Sequence, residues 1–224
     1  MRSHILLAGY LMNYIPACNF VKHRKIFILG CIEPDFNMLS YLKGSIKCQK
    51  LRGHNYNSSN SYILHLLKTL QSKKNWTLRD YYRLGKLMHY LADAFTYPHN
   101  VVFIGTLWEH RVYESYLHLY FKSYLRQYSR VNEKDYPKDA RKFITELHRR
   151  YIRSSGNFNN DAEFIIQVTS QVMQSLAHGL APVHYREGNA HYENTDYNGL
   201  VCTNHQWGCD LRAEFAEGTY TTRA

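Results

Sequence analysis

Residues 84–99 read LGKLMHYLADAFTYPH, and this stretch decides the fold class. Leu84, Leu87, Leu91 and Phe95 recur at helical spacing, and Thr77 stands upstream as a cap. The stretch therefore predicts one long helix that starts at Thr77 and ends before Pro98. His89 and Asp93 lie four residues apart within it. That spacing puts both side chains on one face, one turn apart, beside apolar positions that must point inward. His99 follows just past Pro98, where the chain leaves the helix.

The pattern repeats on the next segment. Residues 106–128 predict a helix rich in Tyr and Leu, with His110 and Glu114 again four apart and Tyr113 and Leu117 beside them. One His–carboxylate pair on a helix is ordinarily a modest surface contact. Two such pairs on consecutive helices, each bordering apolar residues, are hard to explain by packing. Buried imidazole and carboxylate groups left without partners cost on the order of several kcal/mol. A shared metal cluster would supply the partners.

Outward from these helices, the period continues. Residues 3–14 predict a short helix with Ser3 as its N-cap, and residues 20–30 a second that ends at Gly30. Ile32-Glu33-Pro34-Asp35 then reads as a turn, because proline biases the residue before it away from helical geometry. Residues 44–59 are rich in Gly, Lys, Asn and Ser and read as a loop holding His54. From residue 60, Tyr62, Leu66, Leu67 and Leu70 share a helix face. Two more helices are expected over 137–154 and 159–180, the latter starting near Asn160 or Asp161. No segment alternates as a strand. The expected architecture is an all-α multi-helix bundle over residues 1–181, carrying the metal site, with an irregular tail over 182–224.

Composition bounds the function. The chain has 224 residues and 45% hydrophobic content, which excludes a mostly disordered protein. Its 13 His raise the prior for metal, since neutral imidazole is a common ligand. The net charge of +10 fits either solvated helix faces or attraction to phosphate-bearing partners, nucleic acid or anionic lipid. Five widely spaced cysteines imply no disulfide framework and fit a reducing compartment. Cys202, His205 and Cys209 make a weak metal signal against a free-thiol reading. The apolar run Ile5 to Met12 is too short to cross a bilayer and lacks a cleavage site. It reads as a helix of the mature protein, and a cytoplasmic location is the expectation. His23, His65, His118, His148, His178, His184, His191 and His205 are expected at the surface or its edge. Of these, His118 lies one turn past Glu114, placed to hydrogen-bond a ligand.

The order His4, Asp35, His54, His89-x3-Asp93, His99 and His110-x3-Glu114 resembles the zinc-dependent phospholipase C family, whose fold is shared with the S1/P1-type nucleases. The likeness runs from residue 3 to about residue 128 and is carried by GCIEPD at 30–35, LGKLMHYLADAFTYPH at 84–99 and HRVYE at 110–114. It implies that Asp35, His54, His89 and Asp93 bind one zinc and that His99, His110 and Glu114 bind a second. Asp93 would bridge to a third, shared with His4. In the family an N-terminal tryptophan completes that third site, and this sequence has none near its start. Two zinc ions are therefore expected, with the third left to Ser3, the tail or water for its remaining ligands.

The resemblance also implies the chemistry. A zinc pair would activate water near neutral pH, with Asp35 as the candidate general base, and a phosphodiester would be hydrolysed. Phe36, directly after Asp35, stands where the choline-phospholipid enzymes enclose a quaternary ammonium, although a core position is the commoner fate of such a residue. The acidic residue the family places near its N-terminus has no equivalent; Glu33 and Glu109 are possible substitutes. The substrate expected is a phospholipid or another phosphodiester, with peripheral contact to an anionic membrane. Single-stranded nucleic acid is the alternative substrate, and a closed structural zinc cluster is the non-enzymatic alternative. A di-iron site is disfavoured, because it would use Glu-x-x-His spacing and more glutamates. The sequence carries no indication of oligomeric state.

Overall fold

The computed structural model describes residues 2–14, 20–36, 55–127 and 136–180. All of these lie in the compact unit Met1–Val183; a second unit, His184–Ala224, falls outside the described residues, as do His54, Cys202, His205 and Cys209. Among the described residues seven helices follow in order: α1 (Arg2–Tyr14), α2 (Phe20–Phe36), α3 (Tyr56–Gln71), α4 (Leu78–Ala94), α5 (Leu107–Gln127), α6 (Ala140–Ser154) and α7 (Phe158–His178). A 3-10 turn, Tyr97–His99, joins α4 to α5. No strand occurs among the described residues, so the fold is the expected all-α bundle.

α4 is the central helix. Thr77 and Asp80 fix its start: Asp80 Oδ2 accepts hydrogen bonds from the Thr77 backbone N–H at 3.0 Å and hydroxyl at 2.7 Å. Asp80 Oδ1 meets Lys73 at 2.7 Å and Arg83 at 2.9 Å. Burial opposes this ionised carboxyl, but Lys73, Thr77 and Arg83 outweigh it and hold its pKa well below the ordinary range. Leu84, Leu87, Met88 and Leu91 are fully buried, because α4 packs against α2, α3, α7 and α1 together. Residues 87–94 of α4 are buried all round, so the polar groups there, His89 and Asp93, must be satisfied internally.

α2 departs from the sequence expectation. The helix does not stop at Gly30 but runs through Pro34 to Phe36. Gly30 serves a helix crossing rather than a terminus. A Cβ placed there would lie 2.2 Å from the Tyr82 carbonyl oxygen, and one on Gly85 would lie 2.2 Å from the Phe27 carbonyl oxygen. The two backbones touch, and only glycine permits it. Pro34 is tolerated because it sits in the last turn, where just one backbone hydrogen bond, to Gly30, is lost. Asp35 is thus a helical residue with a fixed direction, not a turn residue.

The pairs His23–Tyr81, Phe27–Gly85 and Cys31–His89 each advance by four residues on both helices. α2 and α4 therefore run side by side in the same direction, in a constant register. Lys86 and Glu33 add an ion pair of 3.0 Å to the same seam.

Helix starts elsewhere are set by Asx caps. Asn55 accepts from Ser58 N–H, so α3 begins at Tyr56, four residues earlier than its apolar period suggests. Asp139 and Asn157 cap α6 and α7 in the same way, Asn157 in place of Asn160 or Asp161. No described helix is long and apolar enough to cross a membrane.

Gly85→Ala gains about 1 kcal/mol of helix propensity but forces the α2–α4 seam apart. A net loss of roughly 1–3 kcal/mol is expected, as for other overpacked cores. A shift of the urea unfolding midpoint to lower denaturant checks it; an unchanged or raised midpoint would contradict the close crossing.

Candidate metal centre

Four helices and the 3-10 turn deliver seven candidate ligand side chains to one region. His4 comes from α1, Asp35 from the end of α2, His89 and Asp93 from α4, His99 from the turn, and His110 and Glu114 from α5. The i,i+4 geometry works as expected on both helices. His89 Nε2 lies 3.1 Å from Asp93 Oδ2, and His110 Nε2 lies 2.9 Å from Glu114 Oε1.

Two sets form. His4, Asp35 and His89 gather around Asp93: His4 Nε2 is 3.3 Å from Asp93 Oδ1, and Asp35 Oδ1 is 3.9 Å from His89 Nε2. The His4 and His89 rings lie 4.0 Å apart. In the second set, His99 Nε2 reaches Glu114 Oε1 at 3.0 Å, the same oxygen that His110 meets. Asp93 links the two, since its Oδ1 is also 3.9 Å from His99 Nε2. In each set one ligand atom per residue falls within 4.8 Å of all the others: His4, Asp35 and His89 in the first, His99, His110 and Glu114 in the second.

These spacings fit a metal. Two ligands on a tetrahedral zinc, each about 2.0–2.2 Å from the ion, lie about 3.3–3.5 Å apart. The observed 2.9–3.9 Å brackets that value. The donors are imidazole nitrogen and carboxylate oxygen only, a set suited to zinc. Asp93 Oδ2 is buried and makes no hydrogen bond, although His89 Nε2 stands beside it. A buried carboxylate oxygen in that state suits a cation.

Protonation states agree at His4, Asp93 and Glu114, whereas His89 would have to give up a proton to a cation. His89 Nδ1 donates to the Cys31 carbonyl at 2.9 Å, which turns Nε2 toward Asp93 and Asp35. Burial holds the His4 pKa below its ordinary value, aided by neighbouring His89, so its imidazole stays neutral. Burial also works against His89, but the carboxylates of Asp93 and Asp35 outweigh it and raise its pKa. The Asp93 and Glu114 carboxyls are held well below their ordinary range, because adjacent histidines overcome the cost of burial.

The described residues do not enclose the centre. The His89 side chain is fully buried, but Asp35 is 22% exposed and Glu114 45% exposed, so one side is open among the described residues.

A family model described as zinc dependent phospholipase C matches residues 3–158. The chain belongs to this family. No curated protein and no solved structure matched it. The matched span takes in all seven convergent residues and His54. Family membership makes the protein phospholipase C-like and zinc-dependent, and it implies a hydrolase.

The candidate centre is braced by residues that no sequence motif marks. Asp161 on α7 is fully buried and accepts three hydrogen bonds: from the Tyr97 backbone N–H at 2.9 Å, Tyr113 hydroxyl at 3.0 Å and Tyr151 hydroxyl at 2.7 Å. It therefore ties the turn bearing His99 to the helix bearing His110 and Glu114. Burial, only partly offset by these bonds, raises its pKa to about 6.

His148 corrects an expectation of surface placement. It is buried, stacked on Tyr56 at 3.4 Å, and donates from Nε2 to Asn100 Oδ1 at 2.8 Å. Burial lowers its pKa to about 4, so it stays neutral. Asn100 in turn donates to the Ala94 and Thr96 carbonyls, bracing the bend just after Asp93. No motif marks Asp161, Asn100 or His148; the signal available was an acidic or imidazole group inside an apolar periodic face. His118 lies 3.4 Å from the Ser3 hydroxyl, beside His4, and Ser3 is thereby engaged. Glu33 pairs with Lys86 and Glu109 caps Thr106, so both possible substitutes for the family's acidic residue are committed to structural roles.

In metal-free protein, the folded state holds the Asp161 proton more tightly than the unfolded chain does. Its stabilising contribution is complete below the unfolded pKa near 4 and is lost as pH rises through about 6. Asp161→Asn mimics the protonated acid. Relative to the parent it is expected to gain up to roughly 2–3 kcal/mol between those pH values, read as urea midpoints on either side of the window. A constant difference across that range would contradict the raised pKa.

Proposed function

We propose that the protein hydrolyses the head-group phosphodiester of phospholipids. In this reading His4, Asp35, His89 and Asp93 hold zinc on one side of the centre, and His99, His110 and Glu114 hold zinc on the other. His54 joins the first set by the family resemblance. The observation that carries the reading is the convergence of imidazole Nε2 atoms on two ionised carboxylates, Asp93 and Glu114, at the edge of an open centre.

Bound zinc would supply Lewis acidity toward the phosphoryl oxygens and lower the pKa of coordinated water. The residues of the chain do the rest. Asp35 is the partly exposed carboxylate of the buried set and stands near His89 Nε2, which suits it to take the proton of an attacking water. Cys31 orients His89, Asp161 orients the turn and α5, and Asn100 with His148 fixes the bend after Asp93. The result is a preorganised set of ligands that need not move during attack. Water adds to phosphorus, the bond to the glyceryl oxygen breaks, and that oxygen takes a proton, giving diacylglycerol and a phosphorylated head group.

The open side of the centre weighs against a closed structural cluster, in which every ligand would be enclosed. Phe36 supports a cationic head group. It follows Asp35 directly and is 63% exposed rather than buried in the core, leaving a ring face for a quaternary ammonium.

The test is purified, zinc-loaded protein assayed on phosphatidylcholine and on single-stranded DNA. Hydrolysis of the lipid, with Asp93→Asn losing about a thousandfold or more of the activity and zinc content measured by elemental analysis falling alongside, is the expected outcome. Cleavage of DNA with none of lipid would replace the reading by the nuclease alternative. No cleavage of either, with chelation unfolding the protein, would leave structural zinc.

Phe36→Ala should raise KM for a choline lipid by roughly three- to thirtyfold while leaving hydrolysis of an uncharged head-group analogue unchanged. Equal effects on both substrates would remove the cation–ring contact.

A further inference from the structure

Between His99 and His110 the chain passes through residues 101–106 and the first turn of α5. Its side chains divide into two groups. Phe103 turns inward, edge-on to Tyr97 at 5.4 Å and to His110 at 6.2 Å. Its ring lies across Gly105, where a Cβ would fall 2.2 Å from it. The others face out: Val101 is 65% exposed, Ile104 93%, Leu107 61% and Trp108 71%.

The segment is pinned rather than loosely draped. Glu109 Oε2 accepts from the Thr106 backbone N–H at 2.6 Å and hydroxyl at 2.8 Å, and the Tyr97 hydroxyl donates to the Val102 carbonyl at 3.4 Å. Large apolar side chains held outward on a braced loop mark an interaction surface. Along α5 the exposure continues at Tyr116 and Leu119, eight and eleven residues past Trp108 and so on the same face, with exposed Arg111 between them and the tip.

We propose that the tip from Val101 to Trp108 seats the protein on a phospholipid bilayer and presents the metal centre to it. The inference rests on the phospholipid reading above and gives it a surface. Three features favour lipid over a protein partner. Ile104 is a protruding wedge, and Trp108, four residues on, is the residue type that settles at the headgroup level. A tip of about eight residues is small beside the roughly 800 Å² per partner of a stable protein interface. The net charge of +10 complements an anionic leaflet. The placement is also functional: Phe103, next to the tip, touches the ligand His110, so the buried end of the loop borders the site while its outer end enters the lipid.

The test uses the full chain with Ile104→Glu and Trp108→Ser, co-sedimented with vesicles of phosphatidylcholine and of phosphatidylcholine with phosphatidylserine. Each variant is expected to lose roughly ten- to a hundredfold in vesicle partitioning, with melting temperature unchanged. Hydrolysis of a short-chain phospholipid dissolved as monomers should also stay unchanged. Partitioning equal to the parent's would overturn the proposal. So would a parent protein that ignores both vesicle types, or one that forms a dimer which Ile104→Glu dissociates. Partitioning needs no turnover, so the failure of the phospholipase reading, parent protein that cuts no lipid, is scored separately.

Discussion

Two helices can meet backbone to backbone only where neither carries a side chain, and α2 and α4 do so at Gly30 and Gly85. The His89 side of the candidate centre is placed from that crossing. One residue past Gly30, the Cys31 carbonyl receives His89 Nδ1; five residues past it, Asp35 faces the same ring. With a bulkier pair at the crossing, α2 would stand farther off, and His89 would lose both its orienting carbonyl and its carboxylate neighbour.

The centre sets opposing charges against burial. Asp93 and Glu114 remain ionised because histidines surround them, while His4 remains neutral because burial outweighs its carboxylate neighbours. Ligands in these states are ready for a divalent cation without first losing protons at those positions. The outer layer follows a different rule. Burial dominates at Asp161 and His148 and shifts both toward their neutral forms, while hydrogen bonds to Tyr97, Tyr113, Tyr151 and Asn100 make them braces.

Much of this was legible in the sequence. The 3.6-residue period at Leu84, Leu87 and Leu91 marks α4, and the two i,i+4 His–carboxylate pairs mark the candidate ligands, because helix geometry alone puts such pairs on one face. The order of motifs carried the family. Helix ends were less legible where tertiary contact overrode local preference. Gly30 and Pro34 look like a terminus in isolation, yet the crossing with α4 and the nearness of the helix end reverse that meaning. Asp161 and His148 were not legible, since their role depends on contacts with Tyr97 and Asn100, far away in the chain. Residue type alone left Phe36 between a head-group pocket and the core, and its exposure follows from its place at the last residue of α2.

The glycine crossing also separates the centre from ionic strength. The Lys86–Glu33 and Lys73–Asp80 pairs are joined by Coulomb attraction, which dissolved salt weakens to the extent that solvent reaches them. Contact between two bare backbones has no charge to screen and no rotamer to change. In the unfolded chain each glycine is freer than alanine by about 1 kcal/mol, so this rigidity is set against a more disordered denatured state. The register that aligns Cys31 and Asp35 with His89 is a matter of shape, and it persists through changes of salt that loosen the ion pairs around it.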